Sequence, residues 1–128
     1  MYLVCYKGNN IFDRLTRVFT EKDITHVGLA LEEPVNGNIT YLALRYANDC
    51  SSYTEPVSDV ELYPIRLRTK EQVEAKYSKI KPIYSLQGDI GYRPEFGKMS
   101  SYEYVARLLD LGCPERYKLE DLIRFTQL

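Results

Sequence analysis

Apolar residues along the chain follow two rhythms, one of period two and one close to four. Tyr2 to Tyr6 is a continuous apolar run rich in β-formers, closed by Gly8 and two asparagines, and it predicts a buried strand. Asn10 can then cap a helix in which Ile11, Phe12, Leu15, Val18 and Phe19 share one face, while Arg14 and Arg17 point elsewhere. From Thr25 to Leu31 the pattern alternates, with Val27, Leu29 and Leu31 on one side and His26, Gly28 and Ala30 on the other. Asn36-Gly37 is a strong turn signal, and Ile39 to Tyr46 reads as the returning strand of an antiparallel hairpin. A further strand over about Val57 to Leu67 contains Pro64, which suits a sheet edge or a bulge.

The second half is helical in character. Lys70 to Lys81 is polar and helix-prone, with a thin stripe of Val73, Tyr77 and Ile80, and Pro82 interrupts it. Tyr84 to Tyr92 fits neither rhythm. An amphipathic helix begins at Ser100 or Ser101 and carries Tyr104, Val105, Leu108 and Leu109 until Gly112 and Pro114 stop it. A short helix over about Leu119 to Phe125 follows. The order is strand, helix, three strands, then helices, which predicts an α+β fold with a small antiparallel sheet packed against helices. With 128 residues and 45% hydrophobic content, residues 1–128 are expected to form a single domain.

Seventeen basic and eighteen acidic residues leave a net charge of −1, so no overall field draws the protein to nucleic acid or to an anionic membrane. The twelve tyrosines are not interleaved with basic residues as a base-stacking surface would be, and they read as core and rim. Cys5, Cys50 and Cys113 lack the paired spacing of a zinc or redox site, which points to free thiols in a reducing compartment. With one histidine and no cysteine cluster, neither a metal nor another cofactor is expected. The apolar run ending at Tyr6 is too short for a signal-peptide core, and no stretch reaches membrane-spanning length, so a cytoplasmic location without membrane insertion is expected.

Two positions could carry chemistry. His26 is the single histidine, and imidazole is the side chain suited without perturbation to move a proton near neutral pH. Its small neighbours Gly28 and Ala30 leave room for another element or a substrate to approach, although the strand pattern alone favours a core histidine satisfied by a neighbouring backbone group. Ser101 lies at a helix start, where free N–H groups and the positive dipole end stabilise negative charge. Serine is also a preferred N-cap, so a capping role competes. Glu103, one turn in, reads as a surface residue bonding a local amide or basic side chain.

Tyr6-Lys7-Gly8, the helical segment after it and Ile24-Thr25-His26-Val27-Gly28-Leu29 resemble the opening of circularly permuted NlpC-type hydrolases, many of them phage-encoded. Leu86-Gln87-Gly88-Asp89-Ile90-Gly91 is similar to that family's glycine-containing segment before the nucleophile, and Ser101-Tyr102-Glu103-Tyr104-Val105-Ala106 to its cysteine-x-glutamate-aromatic-valine-alanine helix start. Arg116 to Leu122 resembles the start of its closing helix. The match runs in order over most of the chain, and residues 34–81 agree only in hydrophobic pattern. The resemblance implies a permuted papain-like fold, with His26 as general base and Ser101 at the nucleophile position.

At Ser101 the chain departs from the family, which has cysteine there. A thiol is acidic enough for one histidine to hold as thiolate, whereas a serine hydroxyl needs a well-aligned base and an oxyanion hole. Three explanations stand: an introduced Cys-to-Ser change, ranked first because serine is the isosteric way to silence a thiol, a natural serine nucleophile, or a pseudoenzyme. Of the cysteines, Cys113 at the helix exit and Cys5 in the first strand read as packing residues, which leaves Cys50 as the spare thiol. The third polar group of such sites usually comes from the strand after the histidine's. No carboxylate occurs in Tyr41 to Ala47, so Asn48 is the candidate to hold the imidazole tautomer, with a turn role beside Asp49 as its alternative.

The resemblance thus implies a cysteine-type amide or peptide hydrolase acting on a peptide, a peptidoglycan stem or a protein conjugate. Peptidoglycan would be reached through release by lysis or delivery by a virion. Two alternatives are a lipid-acting or acyl-transferring relative and a catalytically inactive binding module. Substrate and oligomeric state are not encoded in these patterns.

Overall fold

A computed structural model describes residues 1–7, 25–44, 52–80 and 98–128. Residues 10–19, Asn48, Cys50 and residues 86–91, to which the sequence assigns a helix, two site candidates and a glycine motif, lie outside the described residues. The fold is α+β. Strands β1 (Tyr2–Lys7), β2 (Thr25–Ala30), β3 (Asn38–Leu42), β4 (Ser52–Pro56) and β5 (Glu61–Pro64) form one antiparallel sheet in the order β4-β3-β2-β1-β5.

Strand β1 runs through the interior of the sheet, which is why Leu3, Val4, Cys5 and Tyr6 are all buried rather than alternating. It pairs with β2 from Tyr2↔Ala30 to Lys7↔Thr25. At the hairpin tip, Asn36 (φ 52°) and Gly37 (φ 77°) both adopt positive φ, and the Val35 and Asn38 backbones exchange hydrogen bonds of 2.8 and 3.0 Å. This is the turn chemistry that the Asn-Gly pair predicts.

Two strands depart from expectation. The returning strand begins at Asn38 and ends at Leu42, although Ala43 and Leu44 remain buried. The strand expected over residues 57–67 is instead a 3-10 turn at Val57–Asp59 followed by the shorter β5, and β4 before it is an additional strand. Strand β4 escapes pattern reading because it is an outer strand with no fully buried residue, held by its ladder to β3 and a 2.8 Å hydrogen bond between the Thr40 and Thr54 hydroxyls. Pro64 closes β5 at the opposite edge of the sheet, where its missing N–H costs no ladder bond.

Three α-helices are described. Helix α1 (Lys70–Tyr77) starts in a capping box between Thr69 and Gln72. It ends at Tyr77, short of residue 81: of its stripe only Val73 is fully buried, Tyr77 is exposed, and Ile80 packs against the core from beyond the helix end. Helix α2 (Ser101–Leu108) ends before Gly112: Asp110 takes a left-handed conformation (φ 55°), and the Leu111 N–H reaches the Ala106 carbonyl at 3.0 Å. Helix α3 (Leu119–Thr126) buries Leu122 and Thr126. Arg68 joins these last two helices, donating to the Leu109 carbonyl at 2.6 Å while lying 5.4 Å from the Phe125 ring centre.

The helices cover one face of the sheet. Leu3, Cys5, Val27 and Leu29 pack there against Val73, Val105, Leu108 and Leu122. Full burial of each such aliphatic side chain contributes about 1.5–3 kcal/mol. The other face holds a second cluster of Val4, Tyr6, Ala30, Ile39, Tyr41 and Ala43. No helix among the described residues is long and apolar enough to cross a membrane.

Candidate functional site

His26 is the second residue of β2 and is 5% exposed. Its register partner is Tyr6, and the two rings stack with centres 5.4 Å apart. Tyr6 in turn lies 5.1 Å from the Tyr41 ring, and Tyr41 lies 6.2 Å from Tyr53. Tyr6 and Tyr41 stand on strands either side of β2, and they meet because Gly28 between them has no side chain. A Cβ on Gly28 would come within 2.7 Å of a Tyr41 ring carbon. The space beside the imidazole is therefore filled by another element of the protein, the first of the two options the sequence left open.

Ser101 is the first residue of α2 and is fully buried. The N-cap is its neighbour: Ser100 has extended backbone (φ −74°, ψ 168°), and its hydroxyl accepts the Glu103 N–H at 3.0 Å. Capping, the alternative role for Ser101, thus belongs to Ser100. A Ser100→Ala variant is expected to lose about 1 kcal/mol of unfolding free energy in urea denaturation; an unchanged midpoint would refute the capping assignment.

Helix α2 is fastened to the histidine's strand at its first turn. The Tyr102 hydroxyl donates to the Thr25 carbonyl at 2.6 Å, tying the residue after Ser101 to the residue before His26. The two element starts adjoin. Helix α2 packs on the face of Val27 and Leu29, and the imidazole stacks on Tyr6.

Glu103 corrects the surface reading, since it is 7% exposed. Its carboxylate accepts from Arg107 Nε at 2.9 Å, and the guanidinium, 43% exposed, reaches water on its behalf. The signal was present as Glu-x-x-x-Arg, the spacing that stacks residues on one helix face. Cys5 is buried as expected and lines a cleft of about 310 Å³ that also touches Lys7, Thr25, Asp59 and Glu61. Burial, reinforced by the Glu61 charge, pushes the Cys5 thiol up to about 12. Cys113, expected as a packing residue at the helix exit, is exposed and lies beyond the end of α2, with left-handed backbone before Pro114.

Among the described residues no three His, Cys, Asp or Glu side chains converge as a metal site. Comparison with protein-family models, curated proteins and solved structures gives no match to this chain.

Proposed function

We propose that the chain is a permuted papain-like amide hydrolase domain whose reacting centre lies where α2 meets the start of β2, with a serine at the nucleophile position. The observation that carries this reading is the 2.6 Å bond from Tyr102 to the Thr25 carbonyl, which sets Ser101 and His26 on adjoining element starts. The capping role of Ser100 adds support, because it leaves position 101 at the positive end of α2. With cysteine at 101, the thiolate would attack an amide carbonyl, and His26 would protonate the leaving amine. Water activated by His26 would then release the acid. Asn48 is the proposed orienting partner. Peptide, isopeptide and peptidoglycan stem bonds are the substrates that the sequence resemblance favours.

A second reading, a binding module without covalent chemistry, is favoured by the complete burial of Ser101 and the stacking of His26 on Tyr6.

One experiment separates them. A Ser101→Cys variant is treated with a small thiol-directed electrophile between pH 5 and 9, modified residues are mapped by mass spectrometry, and cleavage of peptidoglycan and isopeptide substrates is followed. The hydrolase reading expects modification at position 101 to persist below pH 7 and to slow about tenfold or more when His26→Ala is added. A folded variant with no reaction at 101 and no cleavage would leave the binding module as the function.

A further inference from the structure

The cleft between the 3-10 turn Pro114–Arg116 and α3 has no part in the site above. Its volume is about 360 Å³, and it is lined by Arg116, Tyr117, Asp121, Arg124, Phe125 and Leu128. We infer that it binds a small oxyanion carried on an aromatic body.

The guanidinium groups supply the first half of the argument. Among the described residues no carboxylate pairs with Arg116. Arg124 Nη1 lies 3.9 Å from Asp121 Oδ1, beyond hydrogen-bond reach, and its side chain is 75% exposed. The other oxygen of Asp121 is already engaged, accepting the Lys118 N–H at 2.9 Å. Two planar forks of donors therefore border one cleft, and such forks match carboxylate and phosphate oxygens in bidentate fashion. Arg68, over the Phe125 ring, adds a third positive charge nearby.

The floor supplies the second half. Tyr117 and Phe125 are half-buried rings that line the cleft and pack against the core behind it, with Arg68 over one face of Phe125, and Leu128 is an exposed apolar side chain that also lines it. A purely inorganic anion would leave that surface wet, whereas an aryl group would cover it while its oxyanion reached the arginines. Arg124 also sits in the last turn of α3, where a cation offsets the helix dipole, but that role leaves Arg116 unexplained because it lies outside the helix.

The test is a titration of the folded full chain with phenyl phosphate, benzoate and inorganic phosphate, followed by amide NMR shifts and calorimetry. Either aryl anion is expected to bind saturably, with Kd on the order of 1 mM, shifting resonances from Arg116 to Leu128. The tighter of the two identifies phosphate or carboxylate as the head group. Inorganic phosphate is expected to bind at least about tenfold more weakly. Arg116→Gln or Arg124→Gln should each weaken aryl binding about tenfold, and Arg124→Lys, which keeps the charge but loses the fork, should weaken it as well. Both arginines are exposed, so thermal denaturation should show every variant folded. Equal affinity for phosphate and phenyl phosphate, shifts scattered over the surface, or undiminished binding in the double Arg116→Gln/Arg124→Gln variant would overturn the inference.

Discussion

A Gly28→Ala variant is expected to lose about 3 kcal/mol of unfolding free energy, read as a lowered midpoint in urea denaturation. The added methyl would lie 2.6 Å from the Leu42 carbonyl oxygen, 2.7 Å from a Tyr41 ring carbon and 3.3 Å from the Ala43 Cβ. The first of these is backbone, and Tyr41 is 1% exposed and enclosed, so neither can step aside without parting β2 from β3. Gly112→Ala is the matched control, because nothing lies within 4 Å of the position, and its effect should stay within about 0.5 kcal/mol. The loss at Gly28 should also reach the proposed site. Tyr41 supports Tyr6, which stacks on His26, so displacing Tyr41 should move the NMR resonances of the imidazole ring protons. A Gly28→Ala protein as stable as its parent would mean that β2 and β3 do not pack this closely.

Cys5 carries the second large effect. Burial is the main cause and the Glu61 charge the lesser one in raising this thiol from 9.0 to about 12. Between those values the folded chain keeps a proton that the unfolded chain releases. The contribution is therefore complete below pH 9 and is lost as pH rises toward 12, on the order of 4 kcal/mol across the window. The phenols of Tyr2 and Tyr63 are raised by hydrogen bonds to Glu33 and Glu61, which acts in the same direction. Unfolding free energy followed from pH 8 to 11 should fall more steeply for the parent than for Cys5→Ala. In native protein below pH 9, the thiolate fraction at Cys5 should be about a thousandfold below that of an unshifted thiol, so alkylation should map to exposed Cys113 and spare Cys5. Rapid alkylation of Cys5 in folded protein would contradict its burial.

Local pattern was enough for much of the framework. The apolar run at β1, the alternation in β2, the Asn36-Gly37 turn, the amphipathic face of α2 and the short helix expected at α3 coincide with elements found in place. These succeeded because each element buries a face whose period is set by its own backbone geometry. Strand β4 failed for the converse reason, since nothing in Ser52–Pro56 is fully buried and its pairing with β3 is a long-range choice. The end of α2 was misplaced because the left-handed position that stops it is filled by Asp110, not by the glycine two residues on.

At the candidate site, the sequence by itself determined that the single histidine begins a strand and that a serine pair begins a helix. It also determined that glycine follows the histidine at the next position on the same strand face. Only the tertiary structure decided which serine caps, what fills the space at Gly28, and that Tyr102 bonds the Thr25 carbonyl. The stacking of His26 on Tyr6 and the sheet face on which α2 packs were decided there too. Periodicity reports a residue's own face relative to its neighbours in sequence. Which partner covers that face depends on strand order and helix placement, contacts that span 77 residues in the Tyr102–Thr25 bond and leave no local trace.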